Sequence, residues 1–285
     1  MIARRTLLTA AAALLPLATR AFAAGPKLGD FDLANPRDQL LAYAKMRARL
    51  DGGHAIWHHA IDMFALIDGR VSEFLFKREG VSVHKIRVED NGDLAVHYLA
   101  STYPVEGGNV KNGVWTNHIT GKQVNLRGLP GAKGPVTRVT TQGAKNAERD
   151  LAAPSAERYV VGAPSIMGTR ISISDDMIVY RTAEDQRRIF SRAASAGDYT
   201  ATELGAYEAD LADVMNAKLT SAPASRAMVG VVPWAPDFGM DGLKGTLMIR
   251  HRAHKTASAD ELPAWLREQA EKDTPGIFTA PKLAV

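Results

Sequence analysis

Histidine is the side chain best suited to exchange protons near neutral pH, and the eight histidines of this chain are its most promising chemical groups. His58 and His59 stand side by side, followed by Asp62. On a strand His58, Ala60 and Asp62 share one face and His59 points to the other. Two ligands from one element are too few for a zinc site, which takes three or four, so no metal is expected. His59 is left as a candidate acid or base. His97 and His118 are two more, on separate segments, and His84 is a further histidine that could meet them. Tyr207, with Glu203 and Asp210 at helical offsets, could supply a fourth proton-transfer group. Trp115, Asn117 and Trp234 are candidate ligand contacts: two aromatic platforms and an amide in a turn-forming loop, WTNHITG at 115–121. For each of these the plainer alternative is a hydrogen-bonded core residue or a turn.

Other chemistries are excluded by residue type. The chain has no cysteine, so disulfides, thiolate nucleophiles, thiolate zinc sites and iron–sulfur clusters are ruled out. It contains no Gly-x-Ser-x-Gly elbow, no HExxH and no phosphate-binding glycine loop. No cofactor is expected.

The elements that must position these residues read as mostly strands. Residues 36–50 form a helix, with Asn35 as cap and Pro36 in the first turn. Strand patterns follow at 55–66, 70–78, 81–88 and 93–102, the last after the tight-turn pair Asn91-Gly92. Shorter ones lie at 113–117, 123–127, 136–141, 158–163, 168–174 and 177–181. Residues 128–135, rich in Gly and Pro, read as a loop, and 142–156 as an exposed connection. Helical spacing returns at 200–218, with two strands after it at 227–233 and 247–251. A capping-box pattern at Ser258 opens a last helix over 262–272. The expected fold is mainly β, α+β by content. It is an antiparallel β-barrel or barrel-like sandwich, with peripheral helices at the N- and C-terminal ends.

Residues 1–23 read as a twin-arginine signal peptide. Arg4 and Arg5 precede an uncharged run rich in Ala and Leu, and Ala21-Phe22-Ala23 offers a small-x-small cleavage site after Ala23. Pro16 interrupts the run, which is too short for a stable membrane anchor. The expected location is the periplasm or the exterior, reached through the twin-arginine export machinery. The formal charge of +4 includes Arg4, Arg5 and Arg20 of the leader, so residues 24–285 carry only +1. That balance gives no support for nucleic-acid binding. Residues 24–285 are expected to form one β-rich domain.

Several segments together resemble a known family. They are EFLF at 73–76, EGV at 79–81, WTNHITG at 115–121, YEADLAD at 207–213, VPW at 232–234, GM at 239–240 and GTL at 245–247. The set resembles the domain-of-unknown-function family numbered 1838, over roughly residues 51–275. Its members commonly have Pro where His118 stands here. The resemblance implies domain limits and no catalytic residues.

The expected function is an exported protein whose β-barrel binds a small apolar or aromatic organic molecule. It would act on that molecule by cofactor-free acid/base chemistry. The alternative is a non-catalytic periplasmic binding or interaction module.

Overall fold

A computed structural model describes residues 31–70, 72–107, 109–110, 113–133, 137–140, 143–146, 157–181, 199–234 and 238–281. The signal-peptide reading of residues 1–23 lies outside them.

Helix α1 (Pro36–Arg47) starts as its sequence predicts. The Asn35 side chain accepts a hydrogen bond from the Arg37 amide at 2.9 Å, and Pro36 occupies the first turn. Its second half, from Ala42 to Arg47, is buried on every side. A helix buried all round belongs inside a fold, so α1 is not the peripheral addition that was expected.

Three long strands follow: β1 (His54–Ile67), β2 (Glu73–Val88) and β3 (Leu94–Glu106). The turn between β2 and β3 uses Gly92 at φ 87°, a left-handed conformation that glycine adopts without strain. β2 runs unbroken through Glu79-Gly80, where the sequence reading had two separate strands, 70–78 and 81–88. Gly80 sits opposite Thr102 of β3, and a Cβ there would lie 2.5 Å from the Ser101 carbonyl oxygen. The glycine thus permits close strand approach and does not turn the chain.

Short strands come next: β4 (Asn109–Val110), β5 (Gly113–Thr116), β6 (Gln123–Leu126), β7 (Leu129–Lys133), β8 (Thr137–Thr140), β9 (Gly143–Asn146), β10 (Glu157–Val161) and β11 (Ser165–Met167). β7 and β9 form inside the segments read as a loop and a connection. Long strands return as β12 (Arg170–Arg181) and β13 (Tyr199–Asp210), then the single turn α2 (Leu211–Met215), β14 (Ala224–Val232) and β15 (Gly245–Thr256). Helix α3 (Ala264–Asp273) ends the series of elements.

The helix expected over 200–218 is a correction. Most of it is β13, and only Leu211–Met215 is helical, capped by the Asp210 carboxylate. β13 pairs along its length with β12 on one side and β14 on the other. Those two ladders override a weak helical spacing.

Among the described residues thirteen strands form one antiparallel sheet in the order β10-β9-β8-β3-β2-β1-β15-β14-β13-β12-β11, with β4 and β7 also on β3. β10 pairs with both β9 and β12. β5 and β6 make a separate hairpin. The protein is therefore mainly β, a large antiparallel sheet with few helices. Among the described residues no helix is long and apolar enough to cross a membrane.

Strand alternation separates two faces. On the first, α1 packs against Trp57, Ile86, Val96, Ile173, Tyr207 and Ala253 in one core. Towards the other end of the same strands, Met63, Phe76 and Leu247 pack with Trp115, Phe238 and Met240 in a second. On the opposite face Val81, Val83 and Leu99 meet Ala270 of α3 and Ile277.

Candidate functional site

Between the two cores of the α1 face lies a belt of buried and half-buried polar side chains. Along β1 the residues facing α1 run Ala55, Trp57, His59, Ile61, Met63. The first two belong to one core and Met63 to the other, so His59 falls at the break. The same break occurs on β2 at Ser82 and His84, on β15 at His251, on β14 at Arg226 and on β12 at Asp175.

These groups are linked in a chain. His59 Nδ1 lies 2.6 Å from His251 Nε2, and the two rings stack with centroids 4.8 Å apart. His59 Nε2 lies 2.6 Å from Ser82 Oγ, which lies 2.8 Å from His84 Nε2. Arg47 of α1 donates from Nε to His84 Nδ1 at 3.3 Å. Arg47 also donates to the Tyr43 hydroxyl and reaches Asp175 Oδ2 at 3.5 Å. Arg226 lies 3.9 Å from the same Asp175 oxygen and 3.5 Å from His251 Nδ1. The Tyr43 hydroxyl donates to Asp175 Oδ2 at 3.3 Å, and the Tyr207 ring lies under both guanidiniums.

Small residues make the room. Gly80 stands directly opposite His59 on β2, and Ala253 opposite it on β15, so the His59 ring leans diagonally to Ser82 and to His251. Gly205 on β13 stands opposite Met228, and a Cβ there would lie 3.2 Å from Arg226 Nη2.

Burial sets the protonation of the chain. It pushes His59 and His84 well below the usual histidine range, with His251 assisting at His59 and Arg47 at His84. Burial, then Arg226, holds His251 at about 3. All three imidazoles are neutral at pH 7. Burial also raises Tyr207 and Glu203, the latter a neighbour of Arg226. Both nitrogens of each imidazole are already engaged. Among the described residues no three His, Asp or Glu side chains converge as a metal-ligand set.

Of the residues singled out in the sequence, His59 and Tyr207 lie in the belt. His97 is buried on the opposite face of the sheet, beside Lys85 in register. His118 is an exposed turn residue, 4.0 Å from the Glu73 carboxylate. Trp115 packs edge-on to Phe76 in the second core, and Trp234 donates from its indole to the Leu243 carbonyl at 2.9 Å. Asn117 is fully buried and organises its own turn. Its amide donates to the Phe238 carbonyl at 2.7 Å, and its oxygen accepts from the Ile119 and Thr120 amides. Five of the seven candidates therefore sit away from the belt. His58 is half-buried on the opposite face of the sheet, 3.8 Å from Glu79.

The sequence reading left out Ser82, His251, Arg47, Arg226, Asp175 and Tyr43. One signal was present: Ser82 and His84 are two apart on a strand, next to a strand glycine, and so must share the face of Gly80. Nothing in spacing alone brings Arg47 of the helix to His84.

Residues 54–284 match the family model described as Protein of unknown function (DUF1838). No curated protein matches the chain. The model covers most of the sequence, including every strand of the belt, and the protein belongs to the DUF1838 family.

Proposed function

We propose that the belt is a ligand site, and that the protein is an exported acid/base enzyme acting on a small apolar or aromatic organic molecule. The observation that carries this reading is the chain His251–His59–Ser82–His84. Its contacts of 2.6 to 2.8 Å link three imidazoles through one hydroxyl between two apolar cores. Such a chain passes a proton between its ends by switching tautomers, and no imidazole need become charged. The apolar cores on either side suit an apolar ligand body with few polar groups. His59 and Tyr207 keep the proton-transfer roles expected of them, with Ser82, His84 and His251 added.

The same proposal includes closure of the sheet into a barrel. The pairing of β10 with both β9 and β12 supports closure. Export through the twin-arginine route rests on Arg4, Arg5 and the Ala21-Phe22-Ala23 site. It predicts a periplasmic form beginning at Ala24.

The test is a screen of aromatic and alicyclic compounds against the exported protein, by thermal shift and by mass spectrometry for product. With a substrate in hand, Ser82→Ala lowers kcat by about a hundredfold or more while binding persists. Unchanged turnover in Ser82→Ala would remove the relay from the mechanism.

A second reading is favoured by the depressed basicity of the imidazoles. Groups held neutral far below working pH are weak general bases and good hydrogen-bond partners. On that reading the protein is a non-catalytic binding module, and the same screen yields ligands without products.

A further inference from the structure

We infer that Glu203 is the catalytic acid or base of the belt, the carboxyl that touches the ligand and exchanges a proton with it. This rests on the reading of the belt as a ligand site and names the residue that does its chemistry.

The first observation is a gap in the packing. Strand alternation puts His59 and Ile61 of β1, Ile249 of β15, Arg226 and Met228 of β14 and Glu203 of β13 on the α1 face. Register makes them neighbours. Ile61 stands opposite His251 and His251 opposite Met228, while Gly230 stands between Glu203 and Ile249. All six side chains are half-buried. Along the same face Trp57 and Tyr207 on one side, and Met63 and Leu247 on the other, are buried. Solvent therefore reaches the middle of this face and neither of the cores that flank it. Ile61, Ile249 and Met228 give the gap apolar walls, and the few polar groups converge at one side, as in a site for a small organic molecule.

The second observation is an idle carboxyl. Asp175 accepts from the Tyr43 hydroxyl and meets Arg47 and Arg226, and Asp210 caps α2. The three imidazoles use both of their nitrogens. Among the described residues no hydrogen bond or ion pair engages the Glu203 carboxyl, though Arg226 and Asp175 are near enough to act on it. Gly230, directly opposite on β14, sets no side chain beside it. Polar groups inside a fold are paired as a rule, and one that solvent reaches and the protein leaves alone is available to a ligand.

Electrostatics suit the role. Burial raises Glu203, with Arg226 opposing and Asp175 reinforcing the effect. Burial lowers His59 and His251 away from working pH. Of the titratable groups at the gap, Glu203 alone is moved towards the range in which an acid–base group works best. As an acid it gives its O–H proton to the ligand and is left a carboxylate near Arg226. As a base the carboxylate takes a proton from the ligand and is the acid again. One cycle of both moves a proton between two atoms of the ligand and needs no co-reactant.

The test treats the full exported chain with dicyclohexylcarbodiimide, an apolar reagent for protonated carboxyls. The carboxyl oxygen bonds the carbodiimide carbon and its proton passes to nitrogen. The acyl group then moves from oxygen to nitrogen, leaving a stable acylurea that peptide mass spectrometry locates. At pH 7 Glu203 is expected to react roughly tenfold or more faster than Asp51 and Glu89, which Arg49 and Arg138 hold ionised. Buried Asp175 is expected to stay unlabelled. No label on Glu203 of the folded protein, or label no faster than on those two, overturns the inference and leaves the ligand-site reading standing. A ligand found by thermal shift should slow the labelling; an unchanged rate overturns the contact. With a substrate, Glu203→Gln, which breaks no hydrogen bond of the fold, is expected to bind it and to lose about a hundredfold or more in kcat. Wild-type turnover in that variant overturns the catalytic role. Ligands without product remove the role and keep the site, and a screen without ligands removes both.

Discussion

At the residue scale, burial alone does not separate the chemistry-bearing side chains from the structural ones; the state of their hydrogen bonds does. Asn117 and His59 are both polar residues in apolar surroundings. Asn117 uses its amide on Phe238 and Met240 and its oxygen on two turn amides, so it has nothing left to offer a ligand. The His59 chain can switch between two tautomeric states. Asn117→Ala is therefore expected to cost stability and no binding. It strands the Phe238 carbonyl and two amide donors, for a loss of about 2–3 kcal/mol. Urea unfolding measures that loss, and calorimetry with any ligand of the belt should show an unchanged Kd. A Kd weakened tenfold or more would return Asn117 to the site. The sequence made Asn117 look like a contact because WTNHITG carries turn residues and an aromatic together. Loop composition cannot tell a turn organiser from a binding loop, since both need the same residue types.

At the scale of elements, strand pattern was legible and partnership was not. β1, β3 and the short β5 and β6 fall close to where alternation and the Asn91-Gly92 turn place them. β13 was misread because Leu204, Tyr207 and Leu211 recur at three and four, in an Ala-rich, Glu-bearing segment. In the structure Tyr207 is buried on the α1 face and Leu204 is 51% exposed, an alternation that only a strand gives. Glu203 and Tyr207 still share a face, because residues four apart do so on a strand as on a helix. That coincidence kept Tyr207 among the candidates for the wrong reason. Gly80 was left out of both neighbouring strand patterns, 70–78 and 81–88, though it lies inside β2. Its real role predicts a sharp effect. In Gly80→Ala the new Cβ lies 2.5 Å from the Ser101 carbonyl and 2.6 Å from Thr102 Cγ2, so β2 and β3 must part. A loss of about 2 kcal/mol or more is expected, together with weaker ligand binding, because Ser82 is two residues away. Gly230→Ala is the control. There the nearest contacts, 3.5 and 3.6 Å, are ordinary, and stability should change by less than about 1 kcal/mol. Equal effects of the two substitutions would show that Gly80 is not a packing requirement.

At the scale of the whole molecule, the belt makes stability depend on pH. The unfolded chain protonates its histidines near 6.5, whereas His59 and His84 in the fold do so only well below that value, and His251 at about 3. Between those limits the unfolded chain binds more protons than the folded one, so the fold weakens as pH falls. Each such histidine costs roughly a tenfold factor in the folding equilibrium per pH unit. His58, also lowered by burial, adds to the trend. Glu79 and Glu203 oppose it, since burial raises both and the fold holds their protons more tightly than the unfolded chain. Three imidazoles lowered far below their ordinary value outweigh two partly offsetting carboxyls, so the net direction is fixed. Asp51 and Glu89, held low by Arg49 and Arg138, lose their contribution only in stronger acid. The urea midpoint is therefore expected to fall steadily from pH 7 to pH 5, with an uptake of more than one proton on unfolding. His251→Gln should remove about one proton from that uptake, whatever it does to stability at pH 7. A flat midpoint over this range would mean that the three histidines are solvated, and the relay would fall with it.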